Sequence, residues 1–196
     1  WYQRRAIRPE TTAADRPNQE ISPEEFFTTA TARWHSKYPE MVDDRGRFMG
    51  GHIVYWCTES KTPDDYYVEY EVEPVSPIGL YIVFVSAHAD GGKSIFDPSL
   101  AKRNGVFRGY IKGDIHSYHF SYFANWRGNH RGTCNMRKNS GFYKMASGPD
   151  ITFVEPEKTY KIGVLKQGKR IRFCIDDRVV IDCTDTGEKG GPAHGG

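Results

Sequence analysis

Tyr66-Tyr67-Val68-Glu69-Tyr70-Glu71-Val72-Glu73 alternates without a break. Tyr66, Val68, Tyr70 and Val72 point one way and Tyr67, Glu69, Glu71 and Glu73 the other, the two-residue period of a strand with one dry and one wet side. Such a strand needs an apolar layer to pack against, and the rest of the chain offers candidates. His52 to Cys57 is β-branched and aromatic. Gly79 to Ser86 is apolar on both faces, which predicts a central strand. Val106–Lys112, His116–Phe123, Gly132–Arg137, Phe142–Ala146, Thr159–Lys166, Arg170–Ile175 and Val179–Cys183 read as further strands. About ten short strands with almost no helix predict an all-β fold, a concanavalin A-like jelly-roll sandwich of two antiparallel sheets.

Residues 1–50 read differently from the rest. A polar arm with Pro9 and Pro17 leads to Ser22-Pro23-Glu24-Glu25, a capping box with proline at the first helical position. A short helix through Phe26 and Phe27 to about Arg33 is expected there, followed by a first edge segment. Residues 51–196 carry the sandwich, a single domain overall. At 196 residues, 38% hydrophobic and 14% aromatic, the chain can build one sizeable core, and 20 Gly and 11 Pro supply its turns. It begins at Trp1 without Met and stops soon after a hairpin, so it is expected to be trimmed at both ends.

The formal charge of +2, from 27 basic and 25 acidic residues, argues against a nucleic-acid binder. The densest basic run, Arg127 to Lys138, is broken by Gly, Thr, Cys, Asn and Met. No apolar run approaches the roughly 18 residues of a membrane span, and the compartment is left open between cytoplasm and periplasm. The four cysteines, Cys57, Cys134, Cys174 and Cys183, have no metal-ligand spacing. A two-residue turn at Asp176-Asp177 sets Cys174 against Val179 and Cys183 against Arg170, so free thiols are expected. His88, Asp90 and Asp97 are weak metal candidates. A structural Ca²⁺ on loop carboxylates is the one cofactor left open.

The densest set of functional groups runs from Tyr110 to Asn139. Alternation in Asp114–Phe123 puts Ser117, His119 and Ser121 on one face, with His116, Tyr118, Phe120 and Tyr122 on the other. Thr133, Asn135, Arg137 and Asn139 likewise separate from Cys134 and Met136. If the two strands pair across the Asn125–Arg131 loop, His119, Ser121, Asn135 and Arg137 share one patch. Arginine offers a planar fork for a carboxylate or sulfate, and histidine titrates near neutrality and can take a proton. Such a set suits proton abstraction beside a carboxylate, followed by loss of a β-oxygen substituent. His119 is the candidate base, Arg137 with Asn135 the carboxylate binders, and Ser121, Lys138, Asn139 and Arg108 further substrate contacts. For the acid, Tyr122 lies on the wrong face unless a bulge intervenes; Tyr110, read on a neighbouring strand, is the better candidate. The plain alternative makes His119 and Arg137 a polar outer face paired with Glu or Asp.

Gly51–Trp56, Ser94–Pro98, Gly113–Tyr122 and Asn135-Met136-Arg137-Lys138-Asn139-Ser140-Gly141 resemble the YesU-like family of concanavalin A-like jelly rolls, over roughly residues 50–196. The resemblance implies a role in the use of acidic polysaccharides such as rhamnogalacturonan and ulvan, and a likeness to an ulvan oligosaccharide dehydratase. The chain ends before the closing Gly-Phe-Arg-like strand of that family, which would leave an unpaired edge. The resulting expectation is an enzyme, a carbon–oxygen lyase or dehydratase, whose partner is an acidic, uronate-containing oligosaccharide. Two other classes stay open: a non-catalytic carbohydrate-binding module, and a glycoside hydrolase using paired carboxylates from the Glu69, Glu71, Glu73 row.

Overall fold

The computed structural model of the chain describes residues 2–3, 32–36, 53–57, 63–74, 79–101, 103, 107–126, 129–152 and 158–196. Its strands are β1 (Tyr2–Gln3), β2 (Ala32–Ser36), β3 (Ile53–Cys57), β4 (Tyr66–Glu73), β5 (Gly79–Ala89), β6 (Ile115–Trp126), β7 (Asn129–His130), β8 (Thr133–Asn139), β9 (Tyr143–Pro149), β10 (Tyr160–Gln167), β11 (Arg170–Ile175) and β12 (Arg178–Thr184). One antiparallel sheet runs β1-β4-β10-β11-β12, and a second runs β5-β6-β8-β9 with β7 on β6. β2 and β3 pair with each other. The helix expected at 22–33 lies outside the described residues except for Ala32 and Arg33, which belong to β2.

Alternation places the core between the two sheets. Tyr66, Val68, Tyr70 and Val72 of β4 are buried, and their odd-numbered neighbours are half-exposed. From the other sheet come Tyr118, Phe120, Tyr122, Cys134 and Met136. The Phe120 ring stacks on Phe173 at 4.9 Å, and the Tyr70 and Tyr122 hydroxyls meet at 2.9 Å. Each large apolar side chain buried here stabilises the fold by about 1.5–3 kcal/mol. Along one side the sheets touch edge to edge: a Cβ added to Gly148 in β9 would sit 1.7 Å from the Val180 carbonyl in β12. Only glycine fits that approach.

Three expectations are corrected. Val106–Lys112 is no strand: its described part holds a one-turn helix, α1 (Arg108–Ile111). Gly79–Ser86 is not central among the described strands, where β5 ends the order of its sheet. Its double apolarity has another cause. The outer side of β5 is also covered, Phe84 and Ala87 packing against a small second cluster of Ile95, Tyr110 and Ile115. The hairpin does turn at Asp176-Asp177, both with positive φ (49° and 63°), the type I′ geometry of tight hairpins. A bulge between Phe173 and Cys174 then shifts the register. Cys174 still faces Val179, but Cys183 faces Ile171 rather than Arg170. Cys134, Cys174 and Cys183 are free thiols; the side chain of Cys57 lies outside the description. Among the described residues no helix is long and apolar enough to cross a membrane.

Candidate functional site

β6 and β8 pair with Ser117 opposite Asn139, His119 opposite Arg137 and Ser121 opposite Asn135. These three rungs lie on the side of the sheet away from the core. The rungs between them, Tyr118 with Lys138 and Phe120 with Met136, face inward. The expected patch therefore exists, on a side that is polar yet largely shielded. Ser117, His119, Ser121, Asn135 and Asn139 are all buried, and Arg137 is half-buried.

Aromatic side chains make the shield. Phe84 of β5 lies opposite His119, with ring centroids 5.3 Å apart. Phe107 meets the imidazole edge-on at 6.0 Å, and Phe142 lies nearly parallel to it at 5.6 Å. Phe142 also carries the Arg137 guanidinium over its ring, 4.1 Å from the centroid. The turn from β8 to β9 delivers it: Gly141 and Phe142 both take positive φ, 108° and 63°. For a bulky aromatic this is an unusual conformation. A stacked guanidinium keeps its edge free for in-plane hydrogen bonds, which fits bidentate capture of an oxyanion.

Among the described residues the charge on this face is one-sided, with Arg137 and Arg131 both cationic. Among the described residues neither Arg137 nor His119 has a Glu or Asp partner, so the expected alternative of a paired outer face is not what the described residues form. Burial first, and the Arg131 charge second, lower the Arg137 pKa. Burial first, and Arg137 second, push His119 down to about 3, against the weaker opposing effect of its Asn139 bond. His119 is thus a neutral imidazole at ordinary pH. The Asn139 amide nitrogen donates to the Ser117 hydroxyl (3.0 Å) and lies 2.9 Å from His119 Nδ1. An amide nitrogen only donates, so in this arrangement Nδ1 accepts and the ring proton sits on Nε2. Asn139 Oδ1 is buried without a partner among the described residues. Turned over, the same amide would accept from Nδ1–H and leave Nε2 as a free base.

Arg131 was missed in the sequence. It donates from Nη2 to the Ser121 carbonyl (2.8 Å) and hydroxyl (3.1 Å), and from Nε to the Thr133 carbonyl (2.6 Å). It thereby brings a second guanidinium to the Ser121–Asn135 end of the face. Its only sequence signal was membership of the Arg127–Lys138 basic run. Asn135 is held by the Ser147 hydroxyl at 3.1 Å.

Other expected residues fall elsewhere. Tyr122 is a core residue bonded to Tyr70, its phenol pushed well up by burial; no bulge brings it to the polar face. Lys138 is also turned inward and fully buried. It pairs with Asp185 at 2.7 Å and donates to the carbonyls of Gly191 (2.5 Å) and Pro192 (2.8 Å), so it is a structural residue and not a substrate contact. Tyr110 comes from α1 rather than a strand; it packs on Phe84 (6.4 Å), which also touches His119. Arg108 is exposed at the start of α1. Glu69, Glu71 and Glu73 lie on the outer side of the opposite sheet, across the whole core from His119. They cannot combine with it in one site. Asp97 caps its own turn through Ser99, and among the described residues no group of three or more His, Cys, Asp or Glu is spaced to hold a metal ion.

The same fold is found in a solved structure of a protein of unknown function with galectin-like fold from Bacillus subtilis, with a TM-score of 0.64, 23% identity, and 89% of this chain and 82% of that one covered. A carbohydrate binding module of Bacillus subtilis, CBM66, superposes with a TM-score of only 0.32 at 16% identity, over 69% of this chain and 72% of its own. At that score no common architecture is established. In sequence the chain is 33% identical over 162 residues to the uncharacterized protein YesU of Bacillus subtilis (strain 168), covering 81% of this chain and 71% of that protein. Residues 29–196 match the family described as Domain of unknown function (DUF1961). The chain belongs to this DUF1961 family, an all-β sandwich with a galectin-like, concanavalin A-like fold.

Proposed function

We propose that the β6–β8 face binds an acidic oligosaccharide and acts on it by elimination. The observation that carries this reading is Arg137. Its guanidinium lies on Phe142, without an acidic partner among the described residues, directly across the strand pair from a buried neutral histidine. Arg131 adds a second positive charge to the same face. A half-buried guanidinium that no carboxylate of the described protein satisfies is suited to one supplied by a ligand. The flanking phenylalanines supply flat apolar walls of the kind on which sugar rings stack.

In the reaction, Arg137 and Asn135 hold the uronate carboxylate, drawing charge from the adjacent C–H. His119 Nε2 removes that proton, with Asn139 turned so that its oxygen accepts from Nδ1–H. The carbon–hydrogen electron pair forms the new double bond. The oxygen substituent on the neighbouring carbon leaves with a proton from an acid, for which Tyr110 is the candidate through its shared contact with Phe84. One observation favours a second reading, a binding module without turnover. With the Asn139 nitrogen on Nδ1, His119 is a hydrogen-bond donor and no base.

Incubation with uronate oligosaccharides separates the readings. Elimination raises ultraviolet absorbance, hydrolysis gives reducing ends without it, and binding alone gives neither. Under the proposal His119→Ala keeps its affinity and loses turnover by roughly 10²–10⁴. Arg137→Lys keeps the charge but loses the fork, and with it the preference for acidic over neutral oligosaccharides. A folded His119→Ala protein with unchanged turnover refutes the base, and unchanged preference in Arg137→Lys refutes the carboxylate site.

A further inference from the structure

Three histidines meet at the end of the sandwich near Asp90. His88 of β5 stands opposite His116 of β6 in the strand register. His194 reaches them from the segment that follows β12. The ring centroids are 5.4 Å (His88–His116), 5.1 Å (His88–His194) and 5.8 Å (His116–His194) apart. Each ring has one nitrogen engaged: His88 Nδ1 on the Ser86 carbonyl (3.2 Å), His116 Nε2 on Asp90 (2.6 Å) and His194 Nε2 on the Asn139 carbonyl (2.8 Å).

The segment 185–196 that carries His194 is laid over β6 and β8 by polar contacts. The His194 amide donates to the Tyr118 hydroxyl at 2.9 Å, which itself donates to Asp185 at 2.6 Å. Lys138 holds Asp185 and the Gly191 and Pro192 carbonyls. The Gly196 amide donates to Asp64 at 3.1 Å. Among the described residues, the charged groups near the three rings are therefore Lys138, a cation; Asp185, already engaged by Lys138 and Tyr118; and Asp90, largely exposed, on His116.

We propose that His88, His116 and His194 form a proton-operated latch that holds the segment 185–196 on the sheet. With His194 neutral, the three rings pack face and edge. A proton on His194 places a buried charge against the other two rings and beside Lys138. The sign follows from burial, which with Lys138 and the two neighbouring histidines pushes His194 down to about 4 from its ordinary 6.5. A depressed folded-state pKa gives stability that is full above about 6.5 and is lost as pH falls towards 4. Release reaches the polar face through one residue. Asn139 binds His194 by its carbonyl and His119 by its amide. This last link rests on the site reading above; the latch does not.

Hydrogen–deuterium exchange on the full chain, expressed as protection factors from pH 7.5 to 4.5, tests the latch. The expected result is a fall of at least about tenfold in protection of residues 186–196 between pH 6.5 and 4.5, with β10 and β11 still protected. In His88→Gln/His116→Gln, which removes the two rings packed on His194, protection should persist to lower pH. His88→Gln alone, at a half-buried position, serves if the double variant does not fold. Protection of the segment that stays constant to pH 4.5, or falls identically in the variants, overturns the latch. Affinity for a uronate oligosaccharide, measured over the same range, is a separate readout. Its absence at pH 7.5 counts against the site, whereas the exchange data alone decide the latch.

Discussion

Replacing Lys138 by Met separates a structural lysine from a substrate contact. Both side chains of the Lys138–Asp185 pair have zero exposure, and Nζ is satisfied three times, by Asp185 and by the Gly191 and Pro192 carbonyls. Methionine fills much of the same volume but donates nothing. It leaves Asp185 buried on the Tyr118 hydroxyl and Gly187 amide alone, and strands two carbonyls. Burial by itself raises the Asp185 pKa, yet bonding to Lys138, Tyr118 and Gly187 outweighs it and holds the carboxyl below its ordinary value. Removing one partner of a buried ion pair typically costs about 3–5 kcal/mol, a fall in Tm on the order of 10 °C for a chain of this size. Removing both partners, as in Lys138→Met/Asp185→Leu, should cost less than Lys138→Met alone, because no buried charge is left unpaired. Thermal unfolding of the two variants, followed by circular dichroism, measures this. A Lys138→Met protein of normal Tm would refute the inward placement of this lysine.

Two further outcomes follow from the packing. Gly148→Ala drives a methyl group into the Val180 carbonyl at 1.7 Å, so the β9 and β12 edges must part and Tm should drop, by about 1–3 kcal/mol of stability; an unchanged Tm refutes the edge-to-edge closure. Cys134 is fully buried and its thiol is pushed well up by burial, whereas Cys174 and Cys183 are only half-buried. A thiol reagent at neutral pH should therefore spare Cys134 in the native protein and modify it on unfolding, and native-state labelling of Cys134 followed by mass spectrometry would contradict this.

Alternation alone carried most of the fold, because a strand's side chains divide between two faces at a fixed period, whatever lies beyond them. The strand Tyr66–Glu73 came out with the expected bounds and the expected dry face. The rungs His119–Arg137 and Ser121–Asn135 followed from the same rule once the two strands paired. Alternation also warned that Tyr122 faces the core. The same parity turns Lys138, between Arg137 and Asn139, inward, against its expected role as a substrate contact. What alternation cannot reach is anything that arrives from elsewhere in the chain. Arg131 comes from a loop, which has no period, and Phe142 comes from a turn of positive φ. Phe84 looked like the mark of a central strand until a second apolar cluster on the outer side accounted for it. His119 itself was visible as a residue, but its neutral state was not. That state is set by burial under three phenylalanines, by a guanidinium across the rung and by one amide on Nδ1, and only the packed tertiary structure brings these together.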